Sequence, residues 1–453
     1  MQCVRKPQIT MEKNERMLKR WWLLGLGSLV LIGFLVACGS SFNNSTDGLL
    51  IVGSQGAGLI ETFSFSLNNG QTASVANPVV DTADESCVLK GLPAAMVVNP
   101  AGTYAFVVLN NTDQCQNSPP TGIATFQIKT DGTLSQVGSL ITDPNAISLS
   151  MDPAGKFLFV AEGSSSLPTS PNAVPCPGTT AQYGVCVYAI GSNGSLTAVQ
   201  GNYTFVNGPG FQNPHIVAVA ATPTILPNIG INGTVNSVCS VPGLVAPTAE
   251  FLYAVDAVNY VLWEFAVDTS TGALGNPPNA TQVKYFATDQ VPLGVAVDPC
   301  DRFVYASDSH TNKVSAYTLC AVVQLPAPCP VADGSLTPVV GSPFALSGSA
   351  NTPGPILVDP YGNNVYVLGT LSNTISPFKI APITGAITAL TPATIATGIM
   401  PTSMVIRGDD NWMFVANFGG ATVSQYSITP GTGALSGSPP IQTDNYPFGV
   451  AVK

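Results

Sequence analysis

Charged side chains are scarce in this chain. Lys, Arg, Asp and Glu make up 9% of its 453 residues, and His215 and His310 are its only histidines. With 15 basic against 25 acidic residues, it lacks the positive surface that gripping a phosphate backbone demands, which excludes a nucleic-acid partner. Beyond residue 37 apolar residues nowhere recur at helical spacing, so helix bundles and α/β folds are excluded as well. A Gly-x-Ser-x-Gly elbow, a glycine-rich phosphate loop and a Cys-x-x-Cys pair are all missing. Serine-elbow hydrolases, P-loop nucleotidases and paired-cysteine zinc sites therefore find no motif here. What the chain has in abundance is Gly (44) and Pro (38), set between short runs of Val, Ile, Thr, Tyr and Phe. That is an all-β composition.

One phrase recurs seven times after residue 47: an apolar run, a Pro-Gly turn, a second run ending near Asn or Asp, a third run and a Gly turn. The second run reads Tyr104-Ala-Phe-Val-Val-Leu, Phe157-Leu-Phe-Val-Ala-Glu, Phe251-Leu-Tyr-Ala-Val-Asp, Phe303-Val-Tyr-Ala-Ser-Asp, Asn364-Val-Tyr-Val-Leu-Gly and Trp412-Met-Phe-Val-Ala-Asn, with a degenerate copy at Gly48-Leu-Leu-Ile-Val-Gly. Several short strands per repeat of about 40–60 residues predict a β-propeller. We label the strands of each blade a to d from the channel outward. Strand a opens on Pro93, Ala146, Pro214, Pro292, Pro353, Pro401 and Pro447, and turn glycines at 70, 132, 194, 272, 334, 385 and 433 lead into strand d. The domain opens at Gly48 with a strand b and ends on a strand a. Residues 447–453 are therefore expected to pair with the first blade, closing a seven-bladed ring without free sheet edges.

Residues 1–37 are different in kind. Six of the 15 Lys and Arg precede an apolar stretch at 21–37 and the sequence Leu35-Val36-Ala37-Cys38-Gly39. This predicts a secretory signal with Cys38 as the lipidated mature N-terminus, residues 38–47 as tether, and the propeller over 48–453. Met17 offers an alternative start. A Gly after the Cys predicts an outer-membrane destination. Two of the 25 acidic residues also lie before Cys38, which leaves nine basic against 23 acidic in the mature part. Membrane attachment would then come from the acyl chains and not from charge.

Eight cysteines follow Cys38. In an oxidising compartment they are expected as disulfides. The topology places loops d–a and b–c on one face of the ring (top) and a–b and c–d on the other. Proximity within a face favours Cys87–Cys115, Cys176–Cys186, Cys239–Cys300 and Cys320–Cys329 among the 105 possible pairings.

The top mouth is where candidate chemistry gathers. Strand b ends there on Glu162, Asp256, Asp308 and Asn417 in four of the blades, and both histidines belong to the same face. Two readings stay open. In one, Asp308, His215 and Glu162 are catalytic, with Asp256, His310 and Asn417 binding ligand, and a divalent cation could sit on this rim. In the other, each acid caps the turn after its strand and needs no ligand.

The Asp-Pro-x-Gly phrases before Phe-Val-Tyr-Val runs, together with the Asp-Gly-x-Leu turns, resemble the lactonase-type seven-bladed propellers, which include propeller 6-phosphogluconolactonases and Tyr-Val-Thr-Asn repeat proteins. Asn213-Pro214-His215 is similar to the Pro-His of lactonase members. Where the next copy in such enzymes carries Gly-Pro-Arg-His, this chain has Val291-Pro292-Leu293-Gly294, without the cation for an anionic substrate. The resemblance thus implies the fold and leaves three functions: a monomeric, lipid-anchored envelope propeller binding a small molecule, glycan or protein at its top face, a lactone or ester hydrolase there, or a purely structural repeat protein. Thiol titration of the unreduced protein is expected to find no free thiol; four or more would overturn the four bridges.

Overall fold

The computed structural model describes residues 47–453 except 57, 76–79, 82–91, 111–121, 144–145, 164–183, 200–202, 205–213, 223–249, 321–331 and 348–351. The signal segment, Cys38 and Cys87, Cys115, Cys176, Cys239 and Cys329 lie outside the described residues. Cys186, Cys300 and Cys320 are each disulfide-bonded; which residue each pairs with also lies outside them.

The repeat folds into seven antiparallel sheets, each ordered a, b, c, d from the inside out. In blade 5 these are Pro292–Val297, Phe303–Asp308, Lys313–Leu319 and Leu336–Pro338. Strand b is buried along its whole length in blades 3 to 7, because it has a strand on either side and a neighbouring blade on each face. That explains why it is apolar throughout instead of alternating. Closure occurs as the sequence predicts: Pro447–Val452 pairs antiparallel with Asp47–Ser54, Ile51 opposite Ala451. Strand a of blade 4 begins at Ile216, two residues later than Pro214. Pro214 has no N–H to give, and the N–H of His215 goes to the Asp256 carboxylate instead of to the ladder. Cys186, expected at the end of a loop, is the third residue of strand c (Gly184–Ile190) and fully buried.

The apolar core divides into seven clusters, each joining two adjacent blades. Phe159 of blade 3 packs with Leu252 and Trp263 of blade 4, and Tyr305 of blade 5 packs with Val365 and Phe378 of blade 6. The ring is closed by the cluster of Leu50 and Phe65 with Trp412 and Phe414.

One joint recurs at these interfaces. The glycine of each c–d turn has positive φ (76° at Gly334, 74° at Gly385), and six of the seven lie against a side chain at the start of the preceding blade's strand b. A Cβ there would overlap Tyr104 at Gly194, Phe157 at Gly272, Phe251 at Gly334, Phe303 at Gly385 and Trp412 at Gly70. Two residues further along strand b a tyrosine hydroxyl donates to the same glycine's carbonyl: Tyr253 to Gly334 (2.5 Å), Tyr305 to Gly385 (3.0 Å) and Tyr366 to Gly433 (2.9 Å). Between blades 7 and 1, Gln425 Nε2 donates to Gly70 O at 2.7 Å instead. Only glycine satisfies both the left-handed backbone and the ring contact.

Acidic groups are trapped between blades. Burial pushes Glu264 up to about 8 and Asp410 to about 8, Asp301 to about 9, with Asp298 adding to the effect, and Glu250 to about 7. Glu264 and Asp301 have neither carboxyl oxygen hydrogen-bonded. Against these, Arg302 holds Asp298 through two 2.8 Å bonds in a buried pair.

Two outcomes follow from this packing. Gly385→Ala should cost about 3 kcal/mol, from the left-handed backbone and the collision with Phe303, readable as a shift in urea midpoint; an unchanged midpoint would refute the joint. Carboxyls whose folded pKa is raised favour the fold while protonated, below pH 4 to 5, and that contribution is lost as pH climbs through 7 to 9. The thermal midpoint is therefore expected to fall from pH 5 to pH 9, and Glu264→Gln to flatten the decline. A midpoint rising with pH would contradict this.

Candidate functional site at the top rim

At the top mouth, the end of strand b meets the start of strand a, and their pairing is interrupted there in all seven blades, as between Pro292 and Gly294 or Pro401 and Ser403. The residue before the opening proline is left-handed in four of them: Val291 (φ 54°), Thr352 (42°), Met400 (52°) and Tyr446 (60°). For β-branched Val291 and Thr352 this costs about 1–2 kcal/mol each. The rim is consequently a well-defined ledge.

The carboxylates at the end of strand b are taken up by backbone N–H groups of the rim and by side chains of strand c. Asp256 Oδ1 accepts the N–H groups of His215 (3.2 Å), Val258 (3.0 Å) and Asn259 (3.1 Å). Its Oδ2 takes Asn259 Nδ2 (2.6 Å) and Trp263 Nε1 (3.2 Å). Ser315 donates to Asp308 Oδ2 at 2.7 Å, while Oδ1 has no partner. Burial, with the Asp289 charge reinforcing it against the Ser315 bond, pushes Asp308 up to about 7. Asn417 accepts from Gly398 N (3.0 Å) and donates to Thr422 and Ser424. All three are fully buried, fastening their own blades.

Glu162 differs. It is 2% exposed and faces Asp143, whose Oδ2 accepts the Tyr188 hydroxyl at 2.7 Å. Burial, then the Asp143 charge and the hydrogen bond between the two carboxyls, raise Glu162 well above the usual carboxylate range. His215 lies against the next residue along: a Cβ on Gly163 would lie 3.0 Å from His215 Nε2. Burial holds this half-buried imidazole below its ordinary pKa, with Asp256 opposing, so it is neutral at pH 7. The fold thus brings His215 and Asp256 together at the junction of blades 3 and 4, while Glu162 turns to Asp143 on the side of blade 2. It keeps Asp308 and Asn417 in separate hydrogen-bond sets, and it leaves His310 exposed on blade 5.

Sequence reasoning passed over two features. One is the Thr-Asp pair before strand a, Thr142-Asp143, Thr288-Asp289 and Thr443-Asp444, which supplies the partners of Glu162, of Lys313 (2.9 Å to Asp289) and, through its N–H, of Glu61; its recurrence was the available signal. The other is an apolar sector across blades 6, 7 and 1, where Leu371 (66% exposed), Ile399 (59%), Met400 (43%) and Tyr446 (51%) reach solvent. Tyr446 packs on Phe418 with ring centroids 5.0 Å apart. No charge pattern marks such a patch in sequence.

Comparison with known proteins agrees with the fold. Residues 332–445 match the family described as lactonase, 7-bladed β-propeller. A periplasmic gluconolactonase of Pseudomonas aeruginosa is similar over 90% of this chain and 99% of its own, with 15% identity and a TM-score of 0.62. A Bacteroides fragilis protein provisionally assigned as a 6-phosphogluconolactonase covers 91% and 100%, with 17% identity and a TM-score of 0.61. A Lactobacillus plantarum protein covers 90% and 99%, at 14% identity and 0.62. No curated protein matches by sequence. The chain folds as a seven-bladed β-propeller, and its residues 332–445 match the lactonase propeller family.

Proposed function

We propose that this chain is a lipid-anchored binding propeller of the bacterial cell envelope that receives a small molecule, glycan or protein on its top face. The observation that carries this reading is the apolar sector of Leu371, Ile399, Met400 and Tyr446, held on a strained ledge in a surface with little charge. Exposed apolar groups gathered on one face mark interaction sites. Asp256 of blade 4 and Asn417 of blade 7, meanwhile, are spent on capping.

The topology gives this face a direction. Strand b of blade 1 starts at Asp47 on the bottom, beside the last residue, where Lys453 N donates to Leu49 O at 2.9 Å. A chain anchored through Cys38 would leave from the bottom on a tether of roughly 30 Å at most. The top mouth would then look away from the bilayer, and acyl chains on Cys38 would carry the attachment.

A second reading, a lactone or ester hydrolase, is favoured by the neutral, half-buried His215 imidazole held at the rim between Gly163 and Asp256. There His215 would take a proton from water as it attacks the carbonyl. In that reading Asp308 is set apart by its own blade, and Val291-Pro292-Leu293-Gly294 supplies no cation for a sugar phosphate.

One experiment separates the two. Proton release is followed by pH-stat on the chain from Gly39 with neutral and anionic lactones, with and without chelator, in wild type, His215→Ala and Asp308→Ala. The binding reading expects no turnover above the uncatalysed rate. Turnover lost in His215→Ala would replace it with the hydrolase. Ligands found by thermal shift are expected to bind Tyr446→Ala about tenfold more weakly; equal binding would move the site off this sector.

A further inference from the structure

We propose that Asp143 and Glu162 form a divalent-cation site buried between blades 2 and 3, beneath the top rim. An oxygen of each carboxyl lies within 4.8 Å of the other and of the Cys186 sulfur, and all three residues are buried. Two oxygens at that spacing can both touch one ion at about 2.3–2.6 Å.

The ring supplies its own comparison. Cross-strand register puts Cys186 opposite Val160, Ser315 opposite Ala306 and Ser424 opposite Val415, two residues before the end of strand b in each case. In blade 5 the hydroxyl at this place joins both neighbours. Ser315 donates to Asp308 and accepts the Asp289 N–H at 3.2 Å. In blade 7, Ser424 accepts from Gly398 N (3.2 Å) and from Asn417 Nδ2 (2.9 Å). Blade 3 has a disulfide-bonded sulfur there, which has no hydrogen to give. Its strand b also ends on Glu, one carbon longer than Asp308, so that the carboxyl reaches Asp143 itself. As a result Glu162 Oε1 is buried with no partner, a costly arrangement unless something positive occupies it.

The donor set indicates the ion. Two carboxylates and the Tyr188 phenol that orients Asp143 are hard oxygen donors, together carrying two negative charges. A sulfur tied into a disulfide is no thiolate ligand. Ca²⁺, Mn²⁺ or Mg²⁺ fits such a set better than the softer copper or zinc. Asp143 follows strand d of blade 2 (Leu134–Thr142) and Glu162 ends strand b of blade 3 (Phe157–Glu162). The ion would therefore cross-link two blades and stabilise only the folded ring.

The test is Mn²⁺ binding to the purified chain, followed by loss of the free-ion EPR signal. One Mn²⁺ per chain is expected, weakened at least about tenfold in Glu162→Gln and in Asp143→Asn and unchanged in Asp308→Asn, the equivalent acid of blade 5. No binding by wild type at millimolar metal, or binding retained in both variants, would overturn the site. Should the variants fail to fold, Tb³⁺ emission excited through tyrosine in the wild-type chain gives a second reading. It is expected to drop in Tyr188→Phe, whose ring stands at the site; emission that does not fall would count against it.

Discussion

The ring is held by the lodging of turn glycines beneath a leading side chain of the blade before, at six of the seven joints. At Gly194, Gly272, Gly334, Gly385 and Gly70 the glycine faces an aromatic ring, and at Gly433 it faces Asn364. The tyrosine bonds from Tyr253, Tyr305 and Tyr366 then fix the height of one blade against the next. Since each sheet buries its faces only against its neighbours, a repeat cannot complete its core alone. The last joint, Trp412 and Gln425 against Gly70, and the strand pairing of 447–452 with the first blade are two expressions of that need.

Closing seven sheets tightly leaves strand b buried along its whole length in blades 3 to 7, and this decides what its terminal polar side chains can do. Asp256 and Asn417 reach the rim and are at once drawn to backbone N–H groups and to strand c. An acid bound in this way stiffens the ledge and is withdrawn from the channel. Asp308 and Glu162 are incompletely paired, and their protons are correspondingly harder to remove. The difference between them comes from one side chain on strand c, a serine hydroxyl in blade 5 and a sulfur in blade 3.

The same closure separates the two ends of the molecule. The bottom carries Asp47, Lys453 and the turns with Asp298, Asp301 and Arg302, whose charges are mostly buried or paired. The top carries the strained prolyl ledge and the exposed apolar side chains.

Much of this was legible before the fold was known. Turn glycines, opening prolines, aromatic strand phrases and the strand left over at the end are local signals, because φ preference and strand propensity belong to single residues and their neighbours. They determined seven blades, their strand order and the closure. The same signals placed Glu162, Asp256, Asp308 and Asn417 at one level of the rim, correctly, but not the direction of their side chains. That direction depends on Trp263, Ser315, Ser424 and Cys186 across the register, and on Asp143 in the neighbouring blade. Only the tertiary structure decided that Asp256 would cap a turn while Glu162 met a second carboxyl, because hydrogen-bond partners across strands and blades are chosen by packing in three dimensions and not by spacing along the chain.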